Sequence, residues 1–469
     1  MDYITKLLNL EDSNIFVSDV SVEGNIKFVT LETHPTIHHC PLCGFRMHSR
    51  GIKTRTINHP ILQQTFQLII KLKQRRWRCT NELCLYEVNE LFKFVNKHRR
   101  NTNTTDLLII DAFRDLSASV VSIAERFHVS DTYAIDVFDH YVNMSRLPLT
   151  DIISIDEVCL DFDSDSKYAL VIQDFRTGEP IDLLCSRRSN VTESYFSSIP
   201  KEERFSVKYL ISDMYNPYIN YVDKYFPNAL PVVDSFHVIQ WIVRELDNYI
   251  KQLIRKFKQQ DRQSFFTRHP EAPPNSRVPL SDEVYLLQKY RWLILANQSN
   301  ITYYTELRMD KHFRCLMNTY DYEDALFRID PKLRRLRDLK ELYIVFNKQN
   351  AGNPLNATIE LDKLIEYYLQ CGEPIFRKIA NLLIQFHDYI INSFIMVEKC
   401  SKGDSYFSRL SNGPIESMNR KIKDLKRLGR GYRNFEHFRN RFLYACRENP
   451  SLHIPSIIDY DFCLDNNDI

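Results

Sequence analysis

Glycine is scarce in this chain, with ten residues in 469. That scarcity excludes a collagen-like polymer and Gly-rich low-complexity linkers, and no repeat of fixed period is present. No stretch approaches the roughly 18 uninterrupted apolar residues of a membrane span. The opening M-D-Y-I-T-K-L-L-N-L-E-D has no basic segment followed by a long apolar core, so no signal peptide is expected. A charge excess of one sign is also missing: 62 Lys and Arg against 60 Asp and Glu leave +2, which by itself announces no nucleic-acid partner. Eleven cysteines are an odd number. Four are grouped near the start and seven are scattered in apolar settings, which suits a reducing cytoplasm better than a disulfide framework.

What is present is ample core material, 44% apolar residues with 12% aromatics, in a length that argues for two to four domains. The basic residues are clustered. Lys71, Lys73, Arg75, Arg76 and Arg78 fall within eight residues, and nine basic side chains lie between Arg420 and Arg441. Such clusters neutralise phosphates, although solvated faces look the same in sequence.

Residues 1–100 carry Cys40-Pro-Leu-Cys43-Gly44 and later Cys79-Thr-Asn-Glu-Leu-Cys84, with a β-rich run from Thr65 to Lys73 between them. Four thiolates in two knuckles suit one tetrahedral structural Zn2+, predicting a zinc ribbon; unpaired buried cysteines are the alternative. Gly44 permits the tight turn after the first knuckle. His34, His38, His39, His48 and His59 are spare ligands, expected on polar surface or facing DNA. In residues 101–150, Ser119 to Ile135 follows the helix-turn-helix pattern. Ala124 permits a close helix crossing, and Ser130 caps a second helix that begins Asp131-Thr132-Tyr133. Those residues would face the major groove, unless the pair is an ordinary core hairpin.

From residue 151 the period changes. Ile152–Val158, Tyr168–Asp174, Ile181–Cys185, Val207–Ser212 and Leu230–Val233 read as five strands. Pro217–Phe226 reads as a short helix and Phe236–Lys258 as a long basic one. This is the order of an RNase-H-like mixed sheet with helices, over 151–258, in which the first and fourth strands are neighbours. Residues 259–405 read as an all-α insertion, with Trp292 expected in its core and base stacking as the alternative. Residues 406–469 would complete the core with basic helices. The fold class is multidomain α/β.

Three acids stand in matching contexts: Asp156 in I-I-S-I-D-E, Asp213 in Y-L-I-S-D-M, and Glu416 in S-N-G-P-I-E-S-M-N-R-K. The first two end apolar strands, and the third falls in the first turn of a helix opened by Pro414. Carboxylates converged by a fold can hold two Mg2+ or Mn2+ ions for phosphoryl transfer, as in DDE nucleases. Glu157 points the other way on its strand and reads as supporting. Asp234, which also ends a strand, pairs with His237 one turn later. An orienting or DNA-contact role competes there with plain polar packing. Arg187 and Arg188, and a face formed by Lys421, Lys423, Arg427, Arg430 and Arg433, are candidate phosphate contacts, with Gly429 and Gly431 allowing close approach.

Taken together, H-C-P-L-C-G, W-R-C-T-N-E-L-C, I-S-D-M-Y-N-P-Y-I, V-V-D-S-F-H-V-I, R-W-L-I-L-A-N, S-N-G-P-I-E-S-M-N-R-K-I-K and G-Y-R-N-F-E-H-F-R-N-R resemble the insertion-sequence transposases of the ISL-three family. These are DDE enzymes distantly similar to the mutator-like and hAT transposases. The resemblance covers nearly the whole chain. It implies Asp156, Asp213 and Glu416 as metal ligands, with Asp234 and His237 as a second signature. Ser417 stands where the family usually has Gly, and Cys159–Asp165 reads as an acidic loop where the family is often basic. The implied function is binding of terminal inverted repeats, followed by metal-dependent cleavage and strand transfer to target DNA. The protein would act as a homodimer or higher oligomer in a bacterial cytoplasm, at the nucleoid. Its rivals are a decayed, sequence-specific DNA-binding repressor and a nuclease without strand transfer.

Overall fold

A computed structural model of the chain describes residues 3–10, 12–61, 66–163, 165–401, 404–429 and 432–452. The chain forms two compact units. One is Met1–Arg146 with Val158–Ala169 and Asn419–Ile469; the other is Leu147–Glu157 with Leu170–Met418.

The first unit opens with α1 (Tyr3–Leu7), β1 (Ile15–Glu23), β2 (Ile26–Thr33), β3 (Met47–His59), β4 (Gln67–Cys79) and β5 (Glu87–Asn89). Their sheet has the order β1-β2-β4-β3, with β5 also on β4. Alternation along β4 turns Leu68, Ile70 and Leu72 into a core with Ile15, Val29, Leu31, Ile57 and Phe94, as a strand with one buried face requires. The knuckles thus belong to a five-stranded sheet larger than the small ribbon expected. Residues 62–64 and Thr65 lie outside the described residues.

Three helices follow, α2 (Asn103–Ala112), α3 (Val120–Phe127) and α4 (Asp131–Tyr141). Ser119 caps α3 through the Ser122 N–H, and Ser130 caps α4 through the Tyr133 N–H. Each cap contributes about 1 kcal/mol. Between them His128 adopts a left-handed conformation (φ 54°), and fully buried Ala124 lets the helices cross closely. The last helix among the described residues, Phe435–Cys446, from the segment expected to complete the strand-rich core, belongs to this unit instead. Its His437 Nδ1 donates to Asp139 Oδ1 at 2.6 Å, and His437 and Tyr444 pack edge-on against Phe138 of α4.

The second unit holds the first half of β6 (Ile152–Asp163) and the second half of β7 (Ser166–Asp174), whose residues from Val158 to Ala169 count with the first unit, then β8 (Pro180–Leu184), α5 (Ser189–Ser198), α6 (Lys201–Phe205), β9 (Tyr209–Ser212), α7 (Asn216–Tyr225) and β10 (Leu230–Val233). The sheet order is β10-β9-β6-β7-β8. β10 and β6 run parallel to β9, whereas β7 and β8 are antiparallel. The first and fourth strands are therefore neighbours, as their apolar runs predict. Helices cover the sheet, so its strands are continuous apolar runs, with Ile153, Ile155, Leu170, Ile172 and Leu210 buried against Phe196, Tyr218 and Phe226. The stretch Cys159–Asp163, read as the start of an acidic loop, continues strand β6. There Leu160 is buried while Cys159 and Asp161 face out.

The remaining elements are α8 (Ser235–Arg268), α9 (Asp282–Tyr290), α10 (Trp292–Leu295), β11 (Arg308–Asp310), β12 (Cys315–Met317), α11 (Thr319–Ile329), α12 (Lys332–Gln349), α13 (Pro354–Gln370), α14 (Pro374–Gln385), α15 (His387–Asn392), β13 (Met396–Ser401), β14 (Asp404–Arg409), α16 (Gly413–Leu428) and α17 (Phe435–Cys446). Three expectations need correction here. The segment boundary expected at 258/259 falls inside α8, one helix of 34 residues. Past Ile254, Phe257, Asp261, Phe265 and Phe266 are half-buried and the rest of the helix is exposed, so its apolar stripe thins out along the helix and does not stop at Lys258. The insertion is not all-α, because it contains the β11–β12 hairpin and, closing it, the β13–β14 hairpin. Trp292 is not a core residue either. It is 45% exposed at the start of α10, while its neighbours Leu293 and Ile294 are buried.

Candidate active site and metal centre

Register brings the acids together. β6 and β9 pair as Ile152↔Tyr209, Ile153↔Leu210 and Ser154↔Ile211, an offset of 57 that sets Asp156 opposite Asp213 two residues further on. β10 pairs with β9 as Val233↔Ser212, so the next residue, Asp234, falls in the same row. Asp213 and Asp234 thus follow the last residues of β9 and β10, with Asp156 beside them inside β6, which runs on to Asp163; the carboxyl edge of parallel strands is where open α/β sheets place their chemistry.

Their environments differ. Asp156 is 8% exposed and accepts the Glu157 N–H at 2.7 Å. Burial, and then the charge of Asp213, push its carboxyl up to about 7. Asp213 is more open and accepts two donors on one oxygen: His237 Nε2 and Asn412 Nδ2, each 2.7 Å from Oδ1. Burial alone would depress His237, but the Asp213 hydrogen bond and the surrounding charges of Asp213, Asp234 and Glu416 hold it up at about 9. His237 is therefore a cation at neutral pH. Asp234 has a different task. Its Oδ1 caps α8 through the Phe236 N–H at 2.8 Å, and its Oδ2 accepts the Asn412 N–H at 2.9 Å. Both oxygens are committed to backbone.

Glu416 arrives on α16, whose first turn is closed by the Glu416 N–H to the Asn412 carbonyl at 2.9 Å. Arg409, just before it, reaches Ser235 Oγ at 2.8 Å and Asn347 Oδ1 at 2.9 Å, which fastens the entry to α16 against the start of α8. Sequence reasoning did not single out Asn412 and Arg409 for these roles. Only the capping pattern S-N-G-P pointed at Asn412. Asp156, Asp213 and Glu416 are not drawn within one tight shell. Among the described residues, the set of three or more ligand atoms within 4.8 Å of one another is the four cysteines. The acids still fit hard cations by charge: a buried carboxylate forced up by an acidic neighbour is one that a divalent ion would relieve.

The cysteines fit zinc by geometry. Cys40 Sγ lies 3.6 Å from Cys84 Sγ, and Cys43 Sγ lies 3.4 Å from Cys79 Sγ, close to the roughly 3.8 Å edge of a tetrahedron of 2.3 Å Zn–S bonds. Gly44 takes φ 72° and donates its N–H to the Cys40 carbonyl at 2.9 Å, closing the knuckle. Cys43 is lowered to about 7, chiefly by the Phe45 N–H, while Cys84 is pushed up to about 12 by burial and its three sulfur neighbours, against the Tyr86 N–H. Four thiolates need a cation between them. Of the spare histidines, His59 is neither surface nor DNA-facing. It is 4% exposed, hydrogen-bonded to Thr102 at 2.9 Å, and lowered to about 4 by burial.

The candidate DNA contacts separate into engaged and open groups. Arg76 and Arg78 are paired with Glu87 at 2.5 and 3.5 Å, and Arg75 is half-buried beside them. On α4, Asp131 and Thr132 are exposed and Ser130 is the cap. Tyr133 gives its hydroxyl to buried Asp106 at 2.6 Å, an internal bond. Arg187 is ion-paired with Glu157, which also accepts from Tyr218 at 3.1 Å, and Arg188 is exposed at the start of α5. Lys421, Lys423 and Arg427 project from α16, with Arg427 3.1 Å from Asp424, and Arg433 is exposed beyond it. Arg430 and Gly431 lie outside the described residues.

A row of aspartates across neighbouring parallel strands, with Glu416 at a helix start, is an arrangement compatible with carboxylate-based phosphoryl transfer. The transposase family of the ISL3 DDE type matches residues 153–442, and the chain belongs to it. The transposase for insertion sequence element IS1001 of Bordetella parapertussis is 22% identical over 299 residues, 62% of this chain and 67% of that protein. No helix among the described residues is long and apolar enough to cross a membrane.

Proposed function

We propose that the protein is an active DDE transposase, which binds the terminal inverted repeats of its own insertion sequence, cuts DNA at those ends and joins them to a target. The observation that carries this reading is the aspartate row where β6 runs past the carboxyl ends of β9 and β10, with Glu416 at the head of α16 and cationic His237 on Asp213. The strand order β10-β9-β6-β7-β8, with helices between the parallel strands, is that of an RNase-H-like core and supports it.

Asp156, Asp213 and Glu416 are the residues that would hold two Mg2+ or Mn2+ ions. Bound there, the ions would supply a polarised water or 3′-hydroxyl and a counter-charge for the leaving oxygen. The chain's own groups prepare the site. His237 and Asn412 fix one oxygen of Asp213, the strand holds Asp156 in a dry setting, and a helix start presents Glu416 more rigidly than a loop would. The zinc-held knuckles and the α3–α4 pair would recognise the repeat, with Asp131 and Thr132 facing bases. Arg188, Lys421, Lys423, Arg427 and Arg433 would grip phosphates. Two or more copies would act together on paired ends, in a bacterial cytoplasm.

Asp156→Asn, Asp213→Asn and Glu416→Gln keep shape and remove the charge that retains metal. Each should lower Mn2+-dependent cleavage of an end duplex by several orders of magnitude while leaving duplex binding in place. Wild-type protein that binds ends and never nicks them with either metal would make the chain a repressor instead.

A further inference from the structure

We infer that Asn412 is a positioning residue, whose side chain selects the oxygen of Asp213 that faces the metals and locks that carboxylate to the helix bearing Glu416. The inference rests on the proposed function. Asn412 is fully buried, one residue before α16. Its Nδ2 donates to Asp213 Oδ1 at 2.7 Å, the oxygen that His237 Nε2 also reaches at 2.7 Å. Nδ2 also lies 3.1 Å from His237 Nε2; turned over, the amide would set its oxygen 2.7 Å from a carboxylate oxygen, and this closer repulsion decides the orientation. Two donors on Oδ1 leave Oδ2 as the oxygen presented for a monodentate bond. Fixing ligand atoms in this way is how outer partners tune a metal site.

The backbone of the same residue makes two further bonds. Its N–H goes to Asp234 Oδ2 at 2.9 Å, and its carbonyl accepts the Glu416 N–H at 2.9 Å. One residue thus touches the ends of β9, β10 and α16. Its side-chain carbonyl, Oδ1, is buried with no hydrogen-bond partner. Leaving such an atom unpaired costs about 1–3 kcal/mol, so an apolar side chain would pack there at less cost. The bond from Nδ2 to Asp213 is what the amide contributes in return, and it acts on the carboxylate.

Because the two backbone bonds survive any side-chain replacement, substitution isolates the Asp213 contact. The full chain is titrated with Mn2+, following free Mn2+ by electron paramagnetic resonance, and the same preparations are assayed for end-duplex cleavage and binding. In Asn412→Ala, the half-saturating Mn2+ should rise about 10- to 100-fold in both readouts, with duplex binding unchanged. The double variant with His237→Ala should fall short of the product of the single effects, since both donors act through one oxygen. Asn412→Asp keeps volume and backbone but sets an oxygen against Asp213 Oδ1, and it should show the same rise even if the alanine variant folds poorly. A folded Asn412→Ala whose Mn2+ affinity stays within about twofold of wild type, well below the tenfold expected of such a partner, would overturn the inference and leave the proposed function standing. Wild-type protein that neither binds Mn2+ nor cuts would overturn the function and this inference with it.

Discussion

Replacing Asp156 by Asn should stabilise the metal-free protein, and more so as the pH rises. In the folded chain the Asp156 carboxyl is held at about 7 by burial and by Asp213, against an ordinary 3.8. Below about pH 3.8 the group is protonated whether the chain is folded or not, and it contributes no difference. Between 3.8 and 7 the unfolded chain ionises first, so the folded form loses stability steadily; above 7 the loss is complete. The gap of about 3 in pKa, at 1.36 kcal/mol each, amounts to about 4 kcal/mol. Asparagine never ionises and escapes that loss, although its own buried amide costs about 1–2 kcal/mol. The net gain is about 2–3 kcal/mol at pH 8, shrinking towards pH 5. For a unit of this size, 1 kcal/mol moves the midpoint by about 2–4 °C, so the shift should be roughly 4–12 °C. Scanning calorimetry of both full-length proteins between pH 5 and 8, with chelator present, measures it on the transition that the substitution moves, since two compact units need not melt together. Adding Mn2+ should then raise the wild-type midpoint and close the gap. A gap that is constant between pH 5 and 8 would refute the reasoning, because only a titrating carboxylate makes it grow.

Two further outcomes follow from the first unit. Metal analysis of the purified chain should find about one zinc, as one tetrahedral site requires. Cys79→Ser should lose it and unfold the knuckles while leaving the aspartate row intact, as judged by Mn2+ binding. Tyr133→Phe removes the donor from buried Asp106 and should lower stability by about 1–3 kcal/mol with little change in end-duplex affinity; a tenfold loss of affinity in the folded variant would mean that the hydroxyl touches DNA.

How much was legible in the sequence depends on what each feature needs. Asp156 and Asp213 were readable because a strand buried on both faces is a continuous apolar run, and an acid that follows such a run, as Asp213 does, or interrupts it, as Asp156 does inside β6, is conspicuous. The offset that aligns them is a property of two strands, and the order of runs implied only that those strands are neighbours. The Ser130 cap and the Ala124 crossing were readable for a similar reason, since their chemistry is local. The sequence leaves Asp234 between two roles, because whether a carboxylate faces a pocket or a helix terminus is decided by the chain that returns 178 residues later at Asn412. Trp292 reads as a core residue in the sequence because its apolar neighbours share its helix but not its direction. The β11–β12 strands are three residues each, too short to show a period. Arg76 and Arg78 read as open cations, yet Glu87, which pairs with them, reaches them only through the pairing of β5 with β4.

The wide spacing of the three acids along the chain also sets an order in time. During synthesis, the knuckles and the α3–α4 pair leave the ribosome first, then Asp156 and Asp213, and Glu416 only about 200 residues later. At 5–20 residues per second that interval is roughly 10–40 s, and for its whole duration the nascent chain carries two of its three acids. Any product that stops inside this interval keeps the segments proposed to hold a DNA end and lacks the helix that would let it cut. Interrupted translation would therefore yield competitors of the full-length protein, never uncontrolled nucleases, and the linear layout of the gene would itself limit damage to the host chromosome.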